Sequence, residues 1–258
     1  MAMNPDFPRP FVFVPKQGDP RLLFVLLHGE SAGPEQLFPL AEAIKQAFPL
    51  ALVVLPHAFV HVAGGGAGAA GGPRGYHWID PAGLEAHNYA SRVAQALPGL
   101  IKQIQQIQAR YGLSGEQTAL GGFSQGACMA LEAGLAQPDL AGRILAFSGL
   151  YASQPAKAPP LTMLHFFHGA EDRQLPAGEV QAALAHLGEL QGDVTLDVAS
   201  AIGHELHPAL IRQAIVRLQT CVPLRNWEAA LSALQEQAAV AAAADTGKPA
   251  PASGRTLH

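Results

Sequence analysis

Unbroken apolar runs of five or six residues alternate along this chain with longer stretches in which apolar side chains return every three or four positions. Residues 22–27 (LLFVLL) and 50–55 (LALVVL) are of the first kind, as expected of strands buried on both faces. Between them, residues 35–48 carry Leu37, Leu40, Ala41, Ile44 and Phe48 at helical spacing. Residues 11–14, bounded by prolines, predict a short edge strand. A helix is expected over 89–111, with Ile101, Ile104 and Ile107 on one stripe and a bend at Pro98. Strands follow at 143–147, 161–167 and 194–198, and helices at 176–190 and 208–220. Strand and helix thus alternate after a β start. The pattern predicts an α/β fold: a mostly parallel sheet with helices on both faces, in a single domain spanning residues 1–227. Residues 228–258 change character. An alanine-rich run ends in a polar segment with Pro and Gly, which reads as a peripheral helix and a disordered tail.

One junction carries more information than the others. A short apolar run reaches Gly122, Ser124 follows, and a helix-forming run leaves from Gln125 to about Ala136, giving Gly122-Phe123-Ser124-Gln125-Gly126. A serine on a sharp strand-to-helix turn is held in a strained conformation that lifts its hydroxyl above the sheet. Glycines two positions before and after leave room for backbone to pass close. The Gln125 N–H would then stand at a helix N-terminus, able to stabilise a developing oxyanion.

A serine nucleophile needs a base and a group to orient that base. In such a sheet these belong in loops after later strands, in the order serine, acid, histidine. Asp172 follows the strand ending near Phe167, and His204 follows the strand ending near Val198. Both positions lie at carboxyl ends of strands, where open α/β sheets bind ligands. Glu171 is the rival acid and His207 the rival base, although His207 precedes Pro208 at a helix start. His28-Gly29 closes the first buried strand, so the Glu30 N–H is expected across from that of Gln125 as a second oxyanion donor.

Residues 56–88 form a long segment rich in Gly and Ala, and connections of this length tend to be functional or disordered. It holds a literal G-x-G-x-x-G over residues 66–71, but no strand directly precedes it and no helix follows, which argues against a dinucleotide site. His57, His61 and His77 share the segment without a supporting ligand set, so no metal is expected. Tyr76 and Trp78 are candidate walls of a substrate pocket, with ordinary packing as the alternative.

Bulk properties narrow the partners. Of 258 residues, 49% are apolar and 14% charged, which suits a globular chain with a large core. A net charge of −4 gives no reason to expect nucleic acid or an anionic membrane. No apolar stretch reaches transmembrane length, and the N-terminus lacks the apolar core of a signal peptide. Two cysteines make no disulfide framework, and Cys128, one turn beyond Ser124, reads as a small buried apolar residue. The cytoplasm is the expected compartment.

Taken as a set, Leu27-His28-Gly29, Gly122 to Ala127, His168-Gly169-x-x-Asp172 and Gly203-His204 resemble the carboxylesterase/acyl-protein thioesterase branch of the α/β-hydrolases. The resemblance spans roughly residues 22–220. It implies an α/β-hydrolase fold with Ser124 as nucleophile, Asp172 as acid and His204 as base. It also implies oxyanion donors at Glu30 and Gln125 and a cofactor-free reaction on a small ester substrate. Glu30 and Ser31 depart from the family's pattern, which places an apolar residue and then glycine after His-Gly. The expected activity is a serine carboxylesterase acting on short-acyl esters. An acyl thioesterase or lysophospholipase using the same residues is the alternative, and a non-catalytic binding protein on the same fold is the rival from another class.

Overall fold

The computed structural model describes residues 9–62 and 75–221. Contacts divide the chain into Met1–Cys221 and Val222–His258. The second unit, with the expected boundary after residue 227 and the alanine-rich segment, lies outside the described residues, as does the glycine-rich motif at 66–71.

The first unit is built on a seven-stranded sheet of order β1-β3-β2-β6-β7-β8-β9. Its strands are β1 (Phe11–Phe13), β2 (Leu22–Leu27), β3 (Ala51–Leu55), β6 (Thr118–Phe123), β7 (Arg143–Phe147), β8 (Met163–Gly169) and β9 (Val194–Ala199). All neighbours pair parallel except β1, which lies antiparallel on β3 at the edge. Strand order reverses beside β2: β3 pairs on one side and β6 on the other. Such a switch point opens a crevice at the carboxyl ends of the strands.

Period-two alternation along each strand feeds two cores. Leu23, Val25 and Leu27 of β2 join Leu52, Val54, Ile144, Ala146, Leu164 and Phe166 on one face. That face is covered by α2 (Tyr89–Tyr111) and α3 (Gln125–Ala136), with Leu187 of α4 (Ala177–Glu189) at its edge. Phe24 and Leu26 join Val53, Leu145, Phe147 and Phe167 on the other face, under α1 (Phe38–Ala47) and α5 (Pro208–Thr220). The expected elements therefore recur, with the strand expected at 161–167 shifted to Met163–Gly169 and two further adjustments. The first helical turn of residues 35–48 is a 3-10 turn, Pro34–Leu37. The buried stripe of α2 runs through Val93, Leu97, Leu100 and Ile104, while Ile101 and Ile107 sit at its margin. No helix among the described residues is long and apolar enough to cross a membrane.

The long segment after β3 contains an element that the sequence pattern does not reveal. β4 (Val60–Val62) and β5 (Gly75–His77) pair antiparallel as a separate two-stranded sheet. Three-residue strands are too short to display a period, so only pairing in space identifies them.

Two buried imidazoles have consequences for stability. His28 is fully buried; its Nδ1 contacts Gly29 O at 2.8 Å, and its Nε2 accepts from the Ala58 N–H at 3.1 Å. His165, equally buried, pairs Nδ1 with Thr195 Oγ1 at 2.7 Å. Burial lowers both from 6.5 to about 4. The unfolded chain protonates these rings first, so below pH 6.5 it binds more protons than the native state. Stability should therefore fall as pH drops from 6.5 toward about 4, by on the order of 2 to 3 kcal/mol per ring. Urea midpoints measured across that range test this. A midpoint that stays constant would mean that the rings are not buried neutral, and His165→Asn should flatten part of the slope.

Candidate functional site

The crevice at the switch point is organised by the turn between β6 and α3. Ser124 has φ 53° and ψ −117°, a conformation that L-residues rarely adopt. Its own N–H is held by Phe147 O at 2.9 Å, and its carbonyl accepts from Ala127 and Cys128 at 3.0 and 3.1 Å. The flanking glycines are required by contact. A Cβ on Gly126 would lie 2.1 Å from Leu27 O and 2.4 Å from His28 O. One on Gly122 would lie 2.3 Å from the Gly126 carbonyl. The first turn of α3 thus presses directly on the carboxyl end of β2.

Two later loops meet above this turn. Asp172 is 4% exposed and presents Oδ2 to His204 Nδ1 at 2.7 Å. Its Oδ1 accepts from the N–H groups of Gln174 and Leu175, each at 2.9 Å. Burial pushes this carboxyl upward, but the bonds from Leu175, His204 and Gln174 outweigh it and hold the group below its ordinary value. Asp172 is accordingly a carboxylate. The His204 ring lies against Phe123, the residue before Ser124, with centroids 4.9 Å apart. With Nδ1 engaged by Asp172, Nε2 is the nitrogen left for proton transfer.

The two rivals sit elsewhere. Glu171 is exposed, contributing its N–H to Ile202 O at 2.9 Å. His207 is the N-cap of α5, its Nδ1 accepting from the Ala209 N–H at 3.2 Å. His168 sits under the acid: it is 1% exposed, and its Nε2 donates to Leu175 O at 2.8 Å, 3.9 Å from Asp172 Oδ2. It fixes the loop whose amides bind Asp172. Its position four residues before Asp172 was visible, but its partner, a carbonyl seven residues on, was not.

The loop after β2 lies against the same turn. A Cβ on Gly29 would come within 3.0 Å of the Phe123 ring, and the Gly29 N–H donates to Gln36 Oε1 at 2.7 Å. Neither the Glu30 N–H nor the Gln125 N–H bonds another group among the described residues. Of the two readings open for Trp78, pocket wall or packing, the structure shows packing. At 1% exposed it is no open pocket wall; its indole N–H donates to His28 O and its backbone N–H to Gln125 Oε1, both at 2.8 Å. Its amphipathic ring is used as a tie between the β2 loop and α3. Tyr76 is half-buried, its ring 4.8 Å from that of His57 and 5.2 Å from that of His61. Cys128 is 4% exposed, and burial pushes its thiol up to about 12, so it offers no nucleophile. Among the described residues no group of three or more His, Cys, Asp or Glu could hold a metal ion.

A mostly parallel sheet covered on both faces, with a strained serine at a strand–helix turn and a histidine–carboxylate pair whose ring lies on the residue before that serine, is the arrangement of the α/β-hydrolases. Comparison with known proteins narrows the class. Residues 9–222 match the family model described as Phospholipase/Carboxylesterase, and the chain belongs to that family of carboxylic ester hydrolases. It is 35% identical to esterase YpfH of Escherichia coli K12 over 210 residues, which cover 81% of this chain and 87% of that one. It is 32% identical to acyl-protein thioesterase 1 of Gibberella zeae over 123 residues, 45% of this chain and 52% of that one. Among solved structures, esterase PE8 superposes with a TM-score of 0.71 at 29% identity, covering 83% of this chain and 99% of the other. The Bacillus cereus carboxylesterase, at 16% identity and a TM-score of 0.65 over 83% of this chain and 93% of that one, shares the fold.

The acid and histidine loops are joined through Gly169, where a Cβ would lie 2.3 Å from Ile202 O and 2.4 Å from Gly203 O. Gly169→Ala should force these loops apart, costing about 1–3 kcal/mol in stability. It should also lower kcat/KM by at least about tenfold, because a displacement near 1 Å misaligns reacting groups. Thermal melts and ester hydrolysis at one pH check both. Unchanged activity would show that this approach does not set the Asp172–His204 geometry.

Proposed function

We propose that this chain is a serine carboxylesterase that hydrolyses short-acyl esters through an acyl-enzyme. The observation that carries the reading is the 2.7 Å bond between Asp172 and His204, whose ring lies on Phe123, the residue before a serine with φ 53°. Ser124 Oγ attacks the ester carbonyl carbon while His204 Nε2 takes the hydroxyl proton. Asp172 keeps the hydrogen of the neutral ring on Nδ1 and stabilises the imidazolium that forms. The Glu30 and Gln125 N–H groups donate to the oxyanion. Collapse expels the alcohol, which receives the proton from His204. Water activated by the same imidazole then attacks the acyl-enzyme, releasing the acid and restoring Ser124. No group beyond these residues is required.

Short acyl chains follow from the charge beside the oxyanion loop. Each methylene gains about 0.8 kcal/mol only where apolar surface covers it. The Glu30 carboxylate, half exposed on that loop, would be costly to bury under a long chain. The similarity to an acyl-protein thioesterase supports a second reading, in which the same residues cleave a thioester.

Labelling with a fluorophosphonate distinguishes an enzyme from a binding protein on this fold. Ser124→Ala should abolish labelling, and both Ser124→Ala and His204→Ala should lower kcat by on the order of 10⁴ to 10⁶. Asp172→Asn should cost about 10⁴ by favouring the wrong tautomer. A crippled His207→Ala beside a mild His204→Ala would reverse the base assignment. Across p-nitrophenyl esters without detergent, kcat/KM should be highest at about two to six acyl carbons. A preference that rises to twelve carbons or more, or faster cleavage of matched thioesters, would favour the second reading.

A further inference from the structure

Ser31 has φ 55°, a left-handed conformation in a residue that is not glycine, directly after Glu30. Such a conformation persists only where surrounding structure enforces it. Here β5 does so. The imidazole of His77, 6% exposed, places Nε2 3.2 Å from Ser31 Oγ. Its Nδ1, buried and without a hydrogen bond, lies 3.5 Å from Glu30 Oε1. With the hydrogen on Nδ1, the serine hydroxyl donates to Nε2 while the N–H faces the Glu30 carboxylate. Gly75 adds steric support: a Cβ there would lie 2.9 Å from Ser31 O and 3.2 Å from Ser31 Cα. The Tyr76 N–H donates to Ala32 O at 2.8 Å, closing an isolated bridge.

Glu30 is thus flanked by two anchored residues. Gly29 is fixed from the N-terminal side by Gln36, and Ser31 from the C-terminal side by His77. We propose that His77 is a positioning residue for ester hydrolysis: by holding Ser31 left-handed it orients the turn that presents the Glu30 N–H to the oxyanion. This rests on the reading of Glu30 as an oxyanion donor given above. His77 touches neither Ser124 nor His204 through any hydrogen bond, so it acts through the Ser31 turn.

The test compares kcat per fluorophosphonate-titrated Ser124, so that loss of folded protein does not count. His77→Ala should lower kcat by about tenfold, a fraction of the 10² to 10³ lost with a whole oxyanion donor, and leave KM within about twofold. Ser31→Ala removes only the hydroxyl from an exposed position and should reproduce much of the loss. His77→Gln, which can still reach that hydroxyl, should retain most of the activity. Glycine adopts a positive φ without a tether, so in a Ser31→Gly background His77→Ala should cost less than about threefold. The proposal is overturned if His77→Ala leaves kcat within twofold, or if its loss is the same with Ser31→Gly. Should His77→Ala not fold, Ser31→Ala decides alone: unchanged kcat overturns the proposal, and a kcat loss at constant KM supports it. Failure of the wild-type chain to label at Ser124 would overturn the esterase reading itself, a result separable from any of these.

Discussion

The first turn of α3 sits so close to the end of β2 that the Leu27 and His28 carbonyls occupy the space of a Gly126 side chain. That approach fixes the helix axis relative to the sheet, and the axis in turn fixes Ser124. A residue joining a strand to a helix at this angle has no low-energy backbone option, and φ 53° is the result. Several bonds absorb the strain: the Ser124 N–H to Phe147 O and two amides of α3 back to Ser124 O. Gly149 continues the same constraint one strand further along, where a Cβ would lie 2.6 Å from Ser124 O. Four segments therefore converge on the serine through backbone, and none can shift without disturbing the others.

The residues legible in the sequence were those whose identity is dictated by backbone. Gly122, Ser124 and Gly126 stand at the spacing expected of a serine on a strand–turn–helix, and the unbroken apolar runs of β2 and β3 needed no tertiary information. The choice between Glu171 and Asp172 was of another kind. Nothing local says which of two adjacent carboxylates on a turn faces a histidine 32 positions later. The structure pairs Asp172 with His204 and leaves Glu171 in solvent. The supports were less visible still. His28 binds the amide of Ala58, thirty residues away, and Trp78 binds Gln125, forty-seven away. Such partners have no periodicity to betray them. Sequence leaves Trp78 open between a pocket wall and ordinary packing, and its two N–H groups make it a tie.

Polarity inside the sheet has to be accounted for by hydrogen bonding. His28 sits among apolar side chains at the edge of the site, and burial keeps it neutral. A neutral ring can donate from Nδ1 to Gly29 O and accept at Nε2 from Ala58, whereas a charged ring would place a donor against a donor. Its protonation state is therefore part of the fold. Asp172 shows the opposite solution: three donors keep a buried carboxylate charged. Two loops at the carboxyl ends of the strands thus hold one group neutral and one charged through the atoms that surround each.

Residues 75–78 link these parts. Gly75, Tyr76 and His77 hold Ser31 and Ala32, while Trp78 holds His28 O and the Gln125 side chain. One four-residue segment thereby contacts the backbone on either side of Glu30 and the side chain of Gln125, the two residues proposed to donate to the oxyanion. The two proposed donors stand on separate parts of the chain, Glu30 in the loop after β2 and Gln125 at the start of α3, and would move independently if each were fixed only by its own part. Under the reading proposed above, a common anchor would limit their independent movement, which is the preorganisation that electrostatic stabilisation requires. The work is divided along the segment: β5 itself holds Ser31 and Ala32, and Trp78, the residue after it, makes the tie to α3.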